Sequence, residues 1–125
     1  MHDIPKIKVL FVDDQLLFVH SLSRVISSRA EDIEVVGITE NGLEAVAAVK
    51  NNNPDVVIMD IKMPVMNGVE ATAALRAEGI QIPIGALTAN VMPKHRDAFN
   101  AAGGSGFLTK PIDKKNLRAV LAEYL

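Results

Sequence analysis

The chain has 125 residues, of which 49% are apolar and 22% are charged, and its formal net charge is −2 at pH 7. This length and composition predict one globular domain over residues 1–125 with a buried core, and they exclude a disordered chain. The weak net charge indicates no general attraction to nucleic acid or to anionic membranes, and the absence of cysteine from the sequence excludes disulfides and thiolate metal sites.

Strands and helices are predicted to alternate along the chain. Five apolar runs predict β-strands, and five stretches with apolar residues at helical spacing predict α-helices. In chain order, the predicted elements are a strand over 7–12, a helix over 15–29, a strand over 33–38, a helix that begins at Asn41 and stops at 51–54, a strand over 55–59, a helix over 69–77, a strand over 82–87, a helix over 94–102, a strand over 106–109 and a helix that begins at Asp113. Because the strands lack strict apolar–polar alternation, the predicted fold class is α/β, with a parallel sheet between two layers of helices.

Acidic residues follow two of the predicted strands. Asp13 and Asp14 come directly after the first strand, and Asp60 follows the third. Because ligands of parallel sheets bind at the carboxyl ends of the strands, these carboxylates are expected to share one pocket. Carboxylates so close repel each other unless a cation lies between them, and a divalent cation with oxygen ligands fits this need. Thr88 and Lys110 stand at or just after the ends of the fourth and fifth strands, so we expect them at the same edge.

Four short motifs lie at these strand ends, and together they are highly specific. They are Val12-Asp13-Asp14-Gln15, Met59-Asp60-Ile61-Lys62-Met63-Pro64-Val65-Met66-Asn67-Gly68, Ala86-Leu87-Thr88-Ala89-Asn90 and Gly106-Phe107-Leu108-Thr109-Lys110-Pro111-Ile112. With these motifs in this order, the chain resembles the receiver domains of two-component response regulators over essentially its whole length. The resemblance implies a flavodoxin-like (βα)5 three-layer sandwich with sheet order 2-1-3-4-5, in agreement with the predicted alternation.

The resemblance implies a role for each acidic residue of this edge. Asp60 is the expected phosphoacceptor, which takes a phosphoryl group from a phosphohistidine. Asp14, Asp60 and the main-chain carbonyl of Lys62 are the expected metal ligands, with Asp13 acting through water. Mg²⁺ is the expected ion, with Mn²⁺ as a substitute, because magnesium sites use one or two carboxylates and phosphate oxygens. For Asp14 the residues also allow a second role, as the N-cap of the first helix.

The same resemblance implies roles for residues of the fourth and fifth strand ends. Lys110 is the expected cation beside the incoming phosphoryl group, and the Lys110–Pro111 peptide bond is expected to be cis. Thr88 is expected to hydrogen-bond the attached phosphoryl group, and Phe107 to be the switch aromatic that rotates when the Thr88 loop moves. From the residues alone, Thr88 can equally be a strand residue and Phe107 a core phenylalanine. Lys62 and Asn90 are expected to modulate how easily water reaches the acyl phosphate.

The expected partners follow from this chemistry. A sensor histidine kinase or a histidine phosphotransfer protein would supply phosphate, and a downstream protein would bind the face that the fourth helix, fifth strand and fifth helix form.

We expect no direct nucleic-acid binding, no membrane insertion and no enzymatic activity beyond self-catalysed phosphotransfer and dephosphorylation. No apolar run reaches the ~20 residues that a membrane span needs, and no signal peptide is recognisable, so a cytoplasmic location is expected. The motifs resemble those of hybrid sensor histidine kinases more than those of DNA-binding regulators. The alternative is therefore a receiver fragment of such a kinase, which would pass phosphate to a histidine phosphotransfer domain.

Three other functions compete with this interpretation. A haloacid-dehalogenase-type phosphohydrolase also uses a strand-end aspartate and Mg²⁺, but it needs an Asp-x-Asp signature that Asp13-Asp14-Gln15 lacks. A nucleotide-binding module needs a glycine-rich phosphate loop after the first strand, where this chain is acidic. A receiver-like domain that serves as a docking surface alone would have lost one of the five polar groups of the site, and all five are present.

Overall fold

The described residues form a five-stranded parallel sheet with helices packed against it. The structure, a computed structural model, describes residues 7–15, 33–63, 65–88 and 93–109, with positions 119 and 123. Its elements are β1 (Ile7–Val12), β2 (Ile33–Thr39), α1 (Gly42–Asn52), β3 (Val56–Asp60), α2 (Gly68–Ala77), β4 (Ile84–Thr88), α3 (Pro93–Ala101) and β5 (Gly106–Thr109). The strand order is β2-β1-β3-β4-β5, as predicted. The helices predicted over 15–29 and from Asp113 lie, apart from residue 15, outside the continuously described ranges.

Apolar side chains fill both faces of the sheet. In β1, Val9 and Phe11 belong to one buried cluster, whereas Leu10 and Val12 belong to a second cluster beneath α1 and α2. Every residue of β3 is buried. Because both faces of these strands are buried, their sequences read as continuous apolar runs, and the predicted parallel sheet is confirmed. Among the described helices, none combines the length and the hydrophobicity needed to span a bilayer.

Local sequence signals explain where several elements begin and end. Asn41 caps α1, since its side chain accepts the backbone N–H of Glu44, as the sequence predicts. The helix then runs to Asn52 and closes on Asn53, whose φ of 48° is left-handed. Strand β4 begins at residue 84 rather than 82, because Pro83 has no N–H to donate to the sheet, although its carbonyl accepts from β3.

Arg76 joins the carboxyl-terminal ends of α2 and α3. Its Nε donates to the Gly103 carbonyl at 3.0 Å, and its Nη1 donates to the Ile80 carbonyl at 2.8 Å. Burial lowers the pKa of Arg76 from its ordinary value, yet a guanidinium stays charged throughout the physiological range. The bond to Gly103 restrains the turn that follows α3, and the bond to Ile80 restrains the turn that follows α2.

Two threonines provide a matched test of buried hydroxyl energetics. Oγ1 of Thr39 is buried without a hydrogen-bond partner in the described ranges, whereas Oγ1 of the buried Thr72 donates to the Gly68 carbonyl at 2.7 Å. Because an unsatisfied buried hydroxyl costs about 1–3 kcal/mol, Thr39→Val is expected to raise the free energy of unfolding by about 1 kcal/mol. Thr72→Val should lower it by a similar amount. Urea denaturation measures both changes, and a less stable Thr39→Val protein would contradict the expectation.

Candidate functional site

Three carboxylates converge at the carboxyl ends of β1 and β3. Asp13 and Asp14 follow β1, and Asp60 is the last residue of β3. The two strands are parallel neighbours whose register pairs Val12 with Met59, so their ends lie level with each other. One carboxylate oxygen from each of the three aspartates lies within 4.8 Å of the others. We call Asp13, Asp14 and Asp60 the acidic cluster.

The members of the acidic cluster differ in exposure and in their hydrogen bonds. The side chain of Asp13 is fully buried and Asp60 is 8% exposed, whereas Asp14 faces solvent. The Gln15 N–H donates to Asp13 Oδ1 at 2.9 Å, and the Lys62 N–H donates to Asp60 Oδ1 at 3.2 Å. Backbone donors therefore orient the two buried carboxylates, although these contacts leave three negative charges in one small volume. Such a cluster attracts cations strongly.

The donor chemistry of the acidic cluster suits Mg²⁺. Magnesium binds oxygen ligands at about 2.1 Å, keeps several waters, and takes one or two carboxylates. Two direct ligands can thus lie at most about 4.2 Å apart. With the carboxylate oxygens within 4.8 Å of one another, the cluster can supply direct ligands while a more distant carboxylate acts through a bound water. The residues present therefore fit the ion.

The segment between β3 and α2 closes tightly around Asp60. The Gly68 N–H donates to the Ile61 carbonyl at 2.9 Å, and the Met66 carbonyl accepts the Gly42 N–H at 2.8 Å. A Cβ on Gly68 would stand 2.5 Å from the carbonyl oxygen of Asp60, so this position needs glycine. Asn67 then starts α2 with a full capping box. An Asn-Gly pair before a predicted helix is typical of a turn, and the structure adds that Gly68 lies against the backbone of Asp60.

Val65 is strained within this segment. Its φ is +67°, a left-handed value that costs a β-branched residue energy, and its side chain is 79% exposed. No local signal in the sequence indicated this conformation, since valine ordinarily favours extended backbone.

A cavity of about 560 Å³ opens beside the acidic cluster. Asp14 and Lys62 line it on the side of the sheet edge, Met63 and Asn67 line it from the segment before α2, and His95 lines it from α3. The three histidines of the sequence, His2, His20 and His95, show no ligand spacing, so the sequence predicts His95 to be a surface or helix-face residue. Its place in the cavity wall depends on how α3 packs beside α2, a tertiary contact that no local signal of the sequence predicts.

The structure locates the other predicted residues in part. Thr88 ends β4 and pairs with Thr109, the last residue of β5, so β4 and β5 end at the same edge of the sheet as the acidic cluster. The Thr88 side chain, together with Asn90, Lys110 and the Lys110–Pro111 peptide bond, lies outside what the structure describes.

Phe107 lies in β5 and is half-buried. Its ring packs edge-to-face against Phe99, with centroids 5.3 Å apart, and the guanidinium carbon of Arg96 lies 5.0 Å from its centroid. Sequence reasoning singled out Phe107 but missed both neighbours, because their contact depends on how α3 is placed over β5.

The family model and the similar proteins all point to one protein family. The model of the response regulator receiver domain matches residues 9–122. The two-component response regulator ORR41 of Oryza sativa subsp. japonica is 37% identical in an alignment 124 residues long that covers 94% of each chain. The hybrid signal transduction histidine kinase G of Dictyostelium discoideum is 36% identical in an alignment 122 residues long that covers 95% of this chain but 4% of the kinase.

A solved structure shows the same fold. The chemotaxis protein CheY4 of Vibrio cholerae superimposes with a TM-score of 0.84 at 31% sequence identity, over 96% of this chain and 99% of CheY4. The flavodoxin-like architecture and the sheet order expected from the resemblance are thus confirmed. On the family match and these relatives, the chain belongs to the receiver domains of two-component signalling.

Proposed function

We propose that this chain accepts a phosphoryl group on Asp60 from a phosphohistidine, in a reaction that depends on Mg²⁺, and passes on the signal through a change of its surface. The observation that carries the proposal is the acidic cluster, whose carboxylate oxygens share a space of 4.8 Å at one sheet edge. Receiver domains bind Mg²⁺ at an acidic pocket of this kind. The receiver domain is proposed to cover residues 1–125, of which the family model matches residues 9–122.

The proposed reaction is a direct transfer of phosphorus between two side chains. A carboxylate oxygen of Asp60 attacks the phosphorus, the P–O bond forms, the P–N bond of the donor breaks, and its electron pair stays on the imidazole nitrogen. The Lys62 N–H, which donates to Asp60 Oδ1, holds the carboxylate in a fixed orientation during this attack. Asp14, Asp60 and the Lys62 carbonyl would hold the ion, with Asp13 acting through water. Bound Mg²⁺ supplies neutralisation of the charge that builds on the transferring group.

The ends of β4 and β5 complete the proposed site. Because β4 ends at Thr88 and β5 ends one residue before Lys110, the proposal gives Thr88 the role of donating its hydroxyl to the attached phosphoryl group and Lys110 the role of a cation for its oxygens. Phosphorylation adds roughly two negative charges, which draw the Thr88 segment inward and release space for the Phe107 ring. Rotation of Phe107 would then remodel the face that α3 and β5 build, where a downstream protein binds.

The proposed phosphate donors are histidine proteins. Receiver domains interact with histidine kinases or with histidine phosphotransfer proteins. The likeness to a hybrid histidine kinase favours a second candidate, in which the chain is one receiver of a larger kinase and passes phosphate to a phosphotransfer domain. The absence of cysteine suits a cytoplasmic location for either. A haloacid-dehalogenase-type hydrolase gains no support, since the reported relatives are response regulators and histidine kinases.

Phosphotransfer itself is the test of this function. A labelled phosphohistidine protein is incubated with the chain, with Mg²⁺ in one sample and with excess chelator in another. Label that moves to the chain and needs Mg²⁺ would support the proposal. Rapid release of inorganic phosphate without a labelled intermediate would point to a hydrolase, and no transfer from any histidine donor would contradict the proposal.

Magnesium binding is expected to stabilise the fold. A ligand that binds the native state at ten times its dissociation constant contributes about 1.4 kcal/mol, so the unfolding temperature should rise with Mg²⁺. Asp14→Asn should abolish this rise because it removes a proposed ligand. Asp97→Asn, an exposed acid on α3, serves as the control and should keep the rise. Thermal denaturation followed by circular dichroism measures both, and an unchanged response in Asp14→Asn would remove that residue from the metal site.

Lys62 is expected to lengthen the lifetime of the acyl phosphate. Its side chain is exposed and lies two residues after Asp60, where a long cation can shield the phosphoryl group from water. Because an exposed charge pair contributes up to about 1 kcal/mol, Lys62→Ala should speed hydrolysis by at most about fivefold. Lys8→Ala, at the opposite edge of the sheet, should leave the rate unchanged. The decay of labelled protein after donor removal measures the rate, and equal decay in Lys62→Ala would reject this role.

A further inference from the structure

We infer that Arg96 is a positioning residue that holds Phe107 in its outer position and thereby opposes activation of the switch. This inference rests on the proposed function, because it takes Phe107 to be the aromatic residue that rotates on phosphorylation. It adds a residue of α3 whose charge sets how readily that rotation occurs.

The contact between Arg96 and Phe107 has the geometry of a cation–π interaction. The guanidinium carbon lies 5.0 Å from the ring centroid, within the limit of about 6 Å for attraction between a cation and the ring face. Arg96 is exposed and Phe107 is half-buried. The cation therefore contacts the ring on its solvent-accessible side, and we call this half-buried position of the ring the outer position.

The other neighbour of the ring is fixed in the core. Phe99 is fully buried and meets Phe107 edge-to-face at an interplanar angle of 61°. A side chain on Gly104 would collide with the Phe99 ring, so the backbone after α3 lies directly against it. Arg76 fixes the same turn through the Gly103 carbonyl. Phe99 and the end of α3 thus form a rigid wall, while Arg96 lies on the exposed side.

These contacts give the switch an energetic bias of known sign. A Phe107 ring that turns inward moves away from the exposed guanidinium and loses the cation–π contact. The contact stabilises the outer ring position and so shifts the equilibrium between the outer and inner positions by the free energy of the contact. It therefore lowers the affinity for a phosphoryl group whose binding requires the inner position. Among the described residues of α3, Lys94 and His95 precede Arg96 and make no ring contact with Phe107, although His95 lines the cavity beside the acidic cluster.

Beryllofluoride affinity in the presence of Mg²⁺ tests the inference, because this anion mimics the attached phosphoryl group. Arg96→Gln should bind it about two- to fivefold more tightly than the wild type, which is the factor that corresponds to a cation–π contact of about 0.5–1 kcal/mol. Arg96→Lys, which keeps a cation, should lie closer to the wild type. Lys94→Gln removes a neighbouring charge of the same helix and should leave the affinity unchanged.

Nuclear magnetic resonance tests the contact between Arg96 and Phe107 directly, and a role of Arg96 in stability alone would not produce the expected signal. The side-chain protons of Arg96 should show a ring-current shift in the wild type, and Phe107→Leu should abolish it. Unchanged or weaker beryllofluoride binding in Arg96→Gln, with normal binding by the wild type, would overturn the inference and leave the proposed function intact. A wild-type protein that binds no beryllofluoride would overturn both.

Discussion

Asp60→Asn is expected to abolish phosphoryl incorporation while the protein stays folded. The amide keeps the shape of the side chain and can still accept the Lys62 N–H, but it cannot act as the carboxylate nucleophile. Removing one of three charges that lie within 4.8 Å should also raise the free energy of unfolding, by about 1–2 kcal/mol. Transfer of label from a phosphohistidine protein, together with urea denaturation, measures the two effects.

Asp97→Asn is the matched control for this experiment. It makes the same chemical change at an exposed position of α3, so it should retain wild-type labelling and wild-type stability. Labelling of Asp60→Asn at more than a few per cent of the wild-type level would contradict the assignment of the phosphoacceptor. Loss of folded protein in Asp60→Asn would contradict the view that the three carboxylates repel each other.

Gly68→Ala is expected to lower the free energy of unfolding by about 3 kcal/mol and to impair phosphotransfer. The new Cβ would stand 2.5 Å from the Asp60 carbonyl oxygen and 3.0 Å from the Ile61 Cα. Both are backbone atoms, so the clash can be relieved only by moving the strand end that carries the phosphoacceptor. The gain of about 1 kcal/mol that alanine normally brings within a helix is smaller than this cost. Urea denaturation and the labelling assay measure the change.

Gly79→Ala separates the two reasons for which glycine can be required. Gly79 has a φ of +82°, but a Cβ there would meet no atom within 4 Å. Its substitution should therefore cost about 1 kcal/mol of backbone strain and leave phosphotransfer unchanged. If Gly68→Ala were no more destabilising than Gly79→Ala, the close packing of α2 against the Asp60 backbone would be wrong.

The sheet and its acidic edge could be predicted from sequence because each signal is local. The apolar runs that lead to Asp13 and Asp60 predict both a strand and the carboxylate at its end. Parallel pairing of the two strands then brings these carboxylates to the same edge of the sheet. The cap at Asn41 was equally readable, since it depends on a side chain three residues from its partner. Predicted boundaries were wrong where a backbone property decides them. Pro83 has no N–H to donate, so β4 begins at residue 84 rather than at the predicted residue 82.

Contacts between distant elements could not be predicted in this way. The placement of Arg96 over Phe107 depends on where α3 docks on β5, and the proximity of Gly68 to Asp60 depends on how the chain returns from the end of β3. The same holds for His95, which joins the cavity wall through tertiary structure alone. Val65 adopts a conformation that its own residue type disfavours, so surrounding structure overrides local preference there.

Chemical mapping of the phosphorylated residue tests the central claim most directly. Borohydride reduces an aspartyl phosphate and so marks the modified side chain, which mass spectrometry of peptides then identifies. After reaction with a phosphohistidine donor and Mg²⁺, we expect the mark at Asp60, and we expect its loss when the metal is chelated. A mark at Asp13 or Asp14, or equal modification without a divalent cation, would contradict the proposed site.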